Sequence, residues 1–273
     1  MSFLRSAVRR MLPRNIASAY DGYRRTNLSR RNQRMTTEEV FTDIYSNNRW
    51  GGPSGTFCSG DGSRDLAIVS PYVAKITAEL DRIGAASMTV IDLGCGDYSV
   101  GRQLSPACGR YIGIDIVKPL ITHNQAVFSG RKVSFQHANI IEDALPDGDI
   151  CFVRQVLQHL SNDQIAAVVP KLDKFRWCFV TEHHPSPGRL VKPNDDKPHG
   201  DTIRITRGSG VFLDEPPFDV PVARYRLLFE IPGVLPIDAA DAGMIRTYVL
   251  EGDPSVYQTL DKGRDNLQQQ PPE

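Results

Sequence analysis

Between residues 88 and 183 the hydrophobic period switches repeatedly, and few folds satisfy that pattern. "MTVIDLG", "YIGIDIV", "KVSFQHANII", "DICFVRQV" and "WCFVTEH" are short runs of β-formers, whereas "YSVGRQLSPA", "PLITHNQAVFSG" and "SNDQIAAVVPKLDKF" between them keep helical spacing. Strands alternating with helices predict a parallel α/β sheet covered on both faces. Farther on, "YRLLFEIP" and "GMIRTYVLEG" are separated only by a loop containing "IDAADA". That spacing predicts an antiparallel pair at one sheet edge.

Four segments follow from this reading. Residues 1–35 hold nine arginines and a single acid, Asp21, although the 273-residue chain has a formal net charge of zero. A basic arm of this kind suits a solvated terminus or contact with an anionic membrane face. Residues 36–84 form a helical extension: "TTEEVFTDIYSNNRW" is a helix capped by Thr36 or Thr37, with Val40, Phe41, Ile44 and Tyr45 on one face. "GGPSGTFCSGDGS" (51–63) is a loop, and "RDLAIVSPYVAKITAELDRIG" a second helix with Pro71 near its start and Gly84 as its stop. The core spans 85–252 and includes a polar, proline-rich insert, 183–222, long enough to be a lid or binding loop. The tail, 253–273, ends in "DNLQQQPPE" and is expected to be disordered.

Cys58, Cys95, Cys108, Cys151 and Cys178 are odd in number and form no C-x-x-C pair, which argues against a disulfide framework or zinc ribbon. The first twelve residues have arginines inside their apolar part and make no secretory signal. The expected location is the cytoplasm, with residues 1–35 touching the inner membrane face.

In a doubly wound sheet, ligands bind outside the carboxyl ends of the strands. Asp92, Gly94 and Gly96 in "VIDLGCGDYSVG" would sit there, and Asp115 ends the next strand 19 residues beyond Gly96. Glycines let a ligand approach the backbone, and a carboxylate at that distance can accept both hydroxyls of a ribose. Gly101 falls beyond the third glycine of G-x-G-x-x-G, and Asp92 and Asp97 would repel a pyrophosphate. These acids disfavour a nicotinamide dinucleotide and favour a ligand bearing an amino group.

"VIDLGCGDYSVGRQL", "YIGIDI", "VSFQHANIIED" and "DICFVRQVLQHLS" together resemble the successive motifs of class I S-adenosylmethionine-dependent methyltransferases. The resemblance implies a Rossmann-like seven-stranded sheet with its last hairpin antiparallel, and S-adenosyl-L-methionine as cofactor. It places Asp92, Gly94 and Gly96 at the methionine part and Asp115 at the ribose. Asn139 and Ile140 fall at the adenine, where the family more often has Asp than Asn. Arg154 and Gln155 face the methyl group and the acceptor. "FTDIYSNNRWGGPSGTFCSGDGS" (41–63) is similar to a segment of bacterial methyltransferases found with glycan and cell-envelope biosynthesis. That likeness puts Ser59, Gly60, Gly62 and Ser63 over the cofactor.

A neutral hydroxyl acceptor calls for a general base, and histidine suits neutral pH. His183 and His184, directly after the fifth strand, are the preferred candidates. His159, where the family commonly has histidine, is as able to cap or pack. The insert places Asn194, Asp195, Lys197, His199 and Arg204 in one polar stretch, which suits a polyol. The expected reaction is therefore O-methylation of a carbohydrate hydroxyl, with a small natural product as the alternative acceptor. A non-catalytic S-adenosylmethionine-binding module is the alternative of another class. No metal is expected, because Arg154 and Gln155 occupy the positions where the family's metal-site acids stand. No nucleic-acid partner is expected, because the basic residues concentrate in the arm. The oligomeric state stays open.

Overall fold

The structure, a computed structural model, describes residues 27–28, 30–53, 55–234 and 241–255. Most of the basic arm, and the end of the tail beyond 255, lie outside the described residues. Helix α1 (Thr37–Ser46) opens with a capping box. The Thr36 hydroxyl accepts from Glu39 N at 3.2 Å, and the Glu39 carboxylate accepts from Thr36 N at 2.8 Å. Helix α2 (Leu66–Ile83) starts on the Asp65 side chain and stops at Gly84, which takes φ +75°. Pro71 lies inside this helix, beyond its first turn.

The strands are β1 (Thr89–Leu93), β2 (Arg110–Asp115), β3 (Val133–His137), β4 (Ile150–Arg154), β5 (Trp177–His184), β6 (Tyr225–Pro232) and β7 (Met244–Glu251). They form one sheet in the order β3-β2-β1-β4-β5-β7-β6. Strands β1 to β5 pair in parallel, and β7 runs antiparallel between β5 and β6. The Rossmann-like sheet and its antiparallel last hairpin are as the sequence predicts.

Alternation along the strands builds two cores. Ile91, Leu93, Val153 and Val180 face a layer that includes Val40 and Ile44 of α1. Val90, Phe152, Phe179 and Val249 face the other layer, with Ile68, Tyr72, Ile76 and Leu80 of α2. The extension thus supplies one helix to each face of the sheet. Helices α3 (Gly101–Leu104), α4 (Lys118–Phe128) and α5 (Asn162–Val168) belong to the core. The helices α3 and α5 are shorter than their sequence patterns. Each tightens into a 3-10 turn at a proline, Pro106 or Pro170, which brings no N–H to continue the ladder.

The insert is not an open polar loop. Val211, Leu213 and Val220 are buried in the core, and Asn194 clamps the segment with φ +51°. Its amide donates to the carbonyls of Phe212, Glu215 and Pro216 at 2.8, 3.2 and 2.9 Å, and its oxygen accepts from Phe212 N at 2.8 Å. Among the described residues no helix is long and apolar enough to cross a membrane.

Candidate active site

The strand order reverses between β1 and β4, so their carboxyl ends open a crevice. Gly94 and Gly96 line it with φ +72° and +55°. A Cβ on Gly94 would lie 2.5 Å from Val156 Cγ2, and one on Gly96 would lie 2.3 Å from Ser59 Oγ. Both positions need glycine for conformation and for space. Beside them, Asp115 accepts from Gly96 N at 3.1 Å and from Val117 N at 3.0 Å. Burial raises its pKa to about 6, against the pull of those hydrogen bonds. Burial likewise lifts Asp92 to about 6, although Tyr111 donates its hydroxyl to that carboxylate.

Residues 59–63 fold over this crevice and are stitched to it. Ser59 N donates to Asp97 Oδ2 at 3.1 Å, Asp97 N donates to Ser59 Oγ at 2.8 Å, and Tyr45 shares a 2.9 Å hydrogen bond with the same hydroxyl. From β4, Arg154 donates to Gly62 O at 2.5 Å and lies 4.7 Å above the Tyr72 ring. Ser59, Ser63, Asn139, Ile140, Arg154 and Gln155 all line the crevice with Asp92, Gly94, Gly96 and Asp115. Gly60 and Gly62 are not among the lining residues. Gly62 makes room instead for Gln155, whose Oε1 would lie 2.0 Å from a Cβ there. At the far end, Asn139 Oδ1 accepts from Ile141 N at 3.0 Å, so part of that side chain serves its own turn.

The opposite wall is aromatic: Phe41 and Tyr45 of α1, Trp50, and His159 from the turn after β4. Phe41 meets the His159 ring edge-on at 6.4 Å and Trp50 lies 5.3 Å from it. The His159 Nδ1 lies 3.0 Å from Gly200 O. A carbonyl can only accept, so Nδ1 carries the proton and Nε2 keeps its lone pair. Burial, reinforced by the positive Lys197, lowers the imidazole pKa to about 4. The ring is neutral, and its free nitrogen can accept a proton.

His183 and His184 do not share this crevice. Strand β5 continues through both, where they pair with Ile245 and Met244 of β7. His183 Nε2 donates to Ala242 O at 2.7 Å, and burial lowers its pKa. His184 is sealed against Phe212 and Tyr248 at 4.7 and 5.8 Å, and burial pushes its pKa down to about 3. Neither imidazole is available to an acceptor in the crevice.

Asn194, Asp195, Lys197, His199 and Arg204 also lie outside the lining, and most of their polar atoms are held by the insert itself or by residues 160–164; the buried Lys197 Nζ has no hydrogen-bond partner. Arg204 is fully buried and donates to Asp195 O at 2.8 Å and Leu160 O at 2.9 Å. Asp195 pairs with Arg207 at 2.6 Å, and His199 Nδ1 lies 3.3 Å from Gln164 Nε2. Lys197 is buried, which lowers its pKa to about 7. Among the described residues no three His, Cys, Asp or Glu side chains are grouped to hold a metal ion.

A crevice at the switch point, two glycines in the left-handed region and a carboxylate at the end of β2 are the arrangement in which a doubly wound sheet takes a nucleoside. Residues 90–175 match the family model described as "Methyltransferase domain". This stretch of the chain is a methyltransferase domain, and its cofactor is S-adenosylmethionine. No curated protein sequence matches the chain. Among solved structures, one described for the conversion of a disulfide bond into a thioacetal group during echinomycin biosynthesis is 15% identical, with a TM-score of 0.51 over 87% of this chain and 100% of that one. Magnesium protoporphyrin IX methyltransferase from Synechocystis PCC 6803 is 15% identical over 80% of this chain and 100% of its own, with a TM-score of 0.49. Human N-acetylserotonin methyltransferase is 16% identical over 80% of this chain and 60% of its own, with a TM-score of 0.48.

The cradle fits that cofactor, since it leaves Gly94 and Gly96 bare and turns two buried acids, Asp92 and Asp115, into the crevice lining. Asp115→Asn keeps an acceptor for Gly96 N and removes the charge. It should weaken S-adenosylmethionine binding by about 1.5–3 kcal/mol, roughly 10- to 150-fold, in calorimetry. Wild-type affinity should also fall as the pH drops through about 6 and Asp115 protonates. Equal affinity in both proteins would remove Asp115 from the site.

Proposed function

We propose that the chain transfers a methyl group to a hydroxyl oxygen, with His159 as general base. One observation carries the reading. His159 stands on the aromatic wall of the crevice, neutral, with its Nδ1 proton committed to Gly200 O. When bound, S-adenosylmethionine supplies a methyl group already activated on a sulfonium. What the protein must add is position, exclusion of water and a place for the acceptor's proton. The residues proposed to hold the cofactor are Asp92, Gly94, Gly96 and Asp115, with Asn139 and Ile140 toward the adenine. Ser59 and Ser63 close over it, while Arg154 fastens that cover to the sheet. His159 Nε2 would accept the hydroxyl proton as the C–O bond forms and the methyl–sulfur bond breaks, with the thioether as leaving group.

For the acceptor we infer a carbohydrate hydroxyl in a glycan, glycolipid or sugar intermediate. The resemblance of residues 41–63 to envelope-associated enzymes supports it, and so does the ring wall of Phe41 and Trp50, which can take the C–H face of a sugar. The polar residues of the insert lend no further support, since none of them lines the crevice. The same aromatic wall favours a second reading, a small planar natural product. Supplying tritiated S-adenosylmethionine to separated polysaccharide, lipid and small-metabolite pools tests both. Label in the first two pools supports the carbohydrate, and label confined to small aromatic metabolites selects the second reading. Label only in protein or RNA defeats both acceptors. Tight cofactor binding with label in no pool would mark a non-catalytic binding module.

A further inference from the structure

Glu182 is the most deeply buried carboxylate near the crevice, 1% exposed, and it is not part of the lining. It stands on β5 next to β4, beneath the turn that leads from Arg154 to His159. Its Oε1 accepts from Val156 N at 3.1 Å and Leu157 N at 2.8 Å, and its Oε2 accepts from Gln158 N at 3.2 Å. Three consecutive backbone N–H groups therefore converge on one carboxylate, immediately before the histidine. A 3-10 turn of three residues has no ladder long enough to hold itself. Burial raises the Glu182 pKa to about 8 against the pull of these N–H groups, and the two oxygens that collect the leading donors fix the turn much as a capping residue fixes a helix.

The other side of the turn is held by the insert. Gly200 N donates to His159 O at 2.9 Å, His159 Nδ1 donates to Gly200 O at 3.0 Å, and Arg204 donates to Leu160 O at 2.9 Å. The imidazole can reach Gly200 O only if the turn stands where Glu182 puts it.

We propose that Glu182 is a positioning residue for methyl transfer: by gathering the N–H groups of residues 156–158 it holds His159 in the tautomer that leaves Nε2 free. The proposal deepens the function given above and rests on the reading of His159 as base. It also gives the insert a role, as the outer half of the clamp whose inner half is Glu182.

The test is ring-nitrogen NMR of the full chain labelled with ¹⁵N-histidine, the His159 signal being assigned by its loss in His159→Gln. Wild-type protein should show His159 protonated on Nδ1 alone, with no titration between pH 5.5 and 8 (about the range in which an ordinary histidine titrates). In Glu182→Gln, one of the facing groups becomes a donor, the turn loses its grip, and His159 should become a mixture of both tautomers. Its midpoint should rise by about one pH unit or more toward the free value. An unchanged single tautomer with an unchanged midpoint overturns the proposal. Should the variant fail to fold, hydrogen exchange on wild-type protein decides. The amides of 156–158 should be protected about 100-fold or more relative to open loops, and free exchange at all three overturns it. The base itself is tested separately. If His159→Gln transfers label as fast as wild type, the base reading falls, whatever the tautomer result for Glu182.

Discussion

Replacing His159 with alanine should lower methyl transfer by about 100-fold or more, the usual contribution of a positioned general base. A neutral hydroxyl attacking the methyl carbon becomes an oxonium unless its proton leaves, and Ser59, Ser63 and the rings of Phe41 and Trp50 line the crevice in which that happens. Among the described residues His159 is the one imidazole in the lining, whereas Arg154 is a cation tied to Gly62 O, Asp92 accepts from Tyr111 and Asp115 accepts from Gly96 N and Val117 N. His159→Ala removes the acceptor and leaves the Gly94–Gly96 cradle and Asp115 in place, so calorimetry should find S-adenosylmethionine bound within a few-fold of wild type. The pH profile carries the same signature. The His159 pKa lies near 4, so that limb of the profile should be flat above pH 5 or so and fall only as the pH drops through about 4. A decrease smaller than about 3-fold in the labelled pool that accepts methyl would leave His159 as a packing residue.

The parts of the fold that local sequence controls were legible, and the parts that depend on distant partners were not. Strand period, the capping box at Thr36 and the stop at Gly84 are each written within a few residues. The glycine cradle could be read because only a left-handed backbone beside a ligand makes sense of Gly94 and Gly96 next to an acid. The histidines show where that reasoning stops. From the sequence, His183 and His184 follow a strand and look free, but β7 extends far enough to pair with both. Whether a strand end is covered depends on a hairpin some 60 residues away in the chain, which composition does not report. The insert failed for a related reason. Asn194 and Arg204 have the donors and acceptors of a sugar site, and the same groups serve equally well to satisfy backbone carbonyls of the folded loop. His159 was in view only as one candidate among three, because its tautomer is set by Gly200, 41 residues later. Glu182 escaped altogether. The one signal was an acid in the apolar run "WCFVTEH", a charge inside a strand that demands a buried partner.

His184→Phe should make the protein more stable, and the gain should grow as the solution becomes more acidic. The His184 imidazole is 1% exposed between Phe212 and Tyr248, and neither ring nitrogen has a hydrogen-bond partner. Phenylalanine has nearly the same shape and brings no polar atom, so the substitution removes two unsatisfied groups and should be neutral or up to about 2 kcal/mol stabilising at pH 7.5. The pH dependence follows from the depressed pKa, about 3 in the folded protein, against about 6.5 for a free histidine. Above 6.5 both states are neutral and the difference is constant. Between 6.5 and about 3 the unfolded chain binds a proton there that the folded chain refuses, so wild-type stability falls with falling pH. The loss is about 1.4 kcal/mol per pH unit, or about 3 kcal/mol by pH 4.5. His159, whose pKa is also depressed, acts in the same direction, while Glu182, Asp92 and Asp115, whose pKa values are raised, act in the other. All of these are present in both proteins and cancel in the difference. Urea unfolding at pH 7.5 and 4.5 therefore isolates His184: the gap between variant and wild type should widen by about 3 kcal/mol, and a gap that stays the same at both pH values would mean that the imidazole is hydrated or paired rather than sealed.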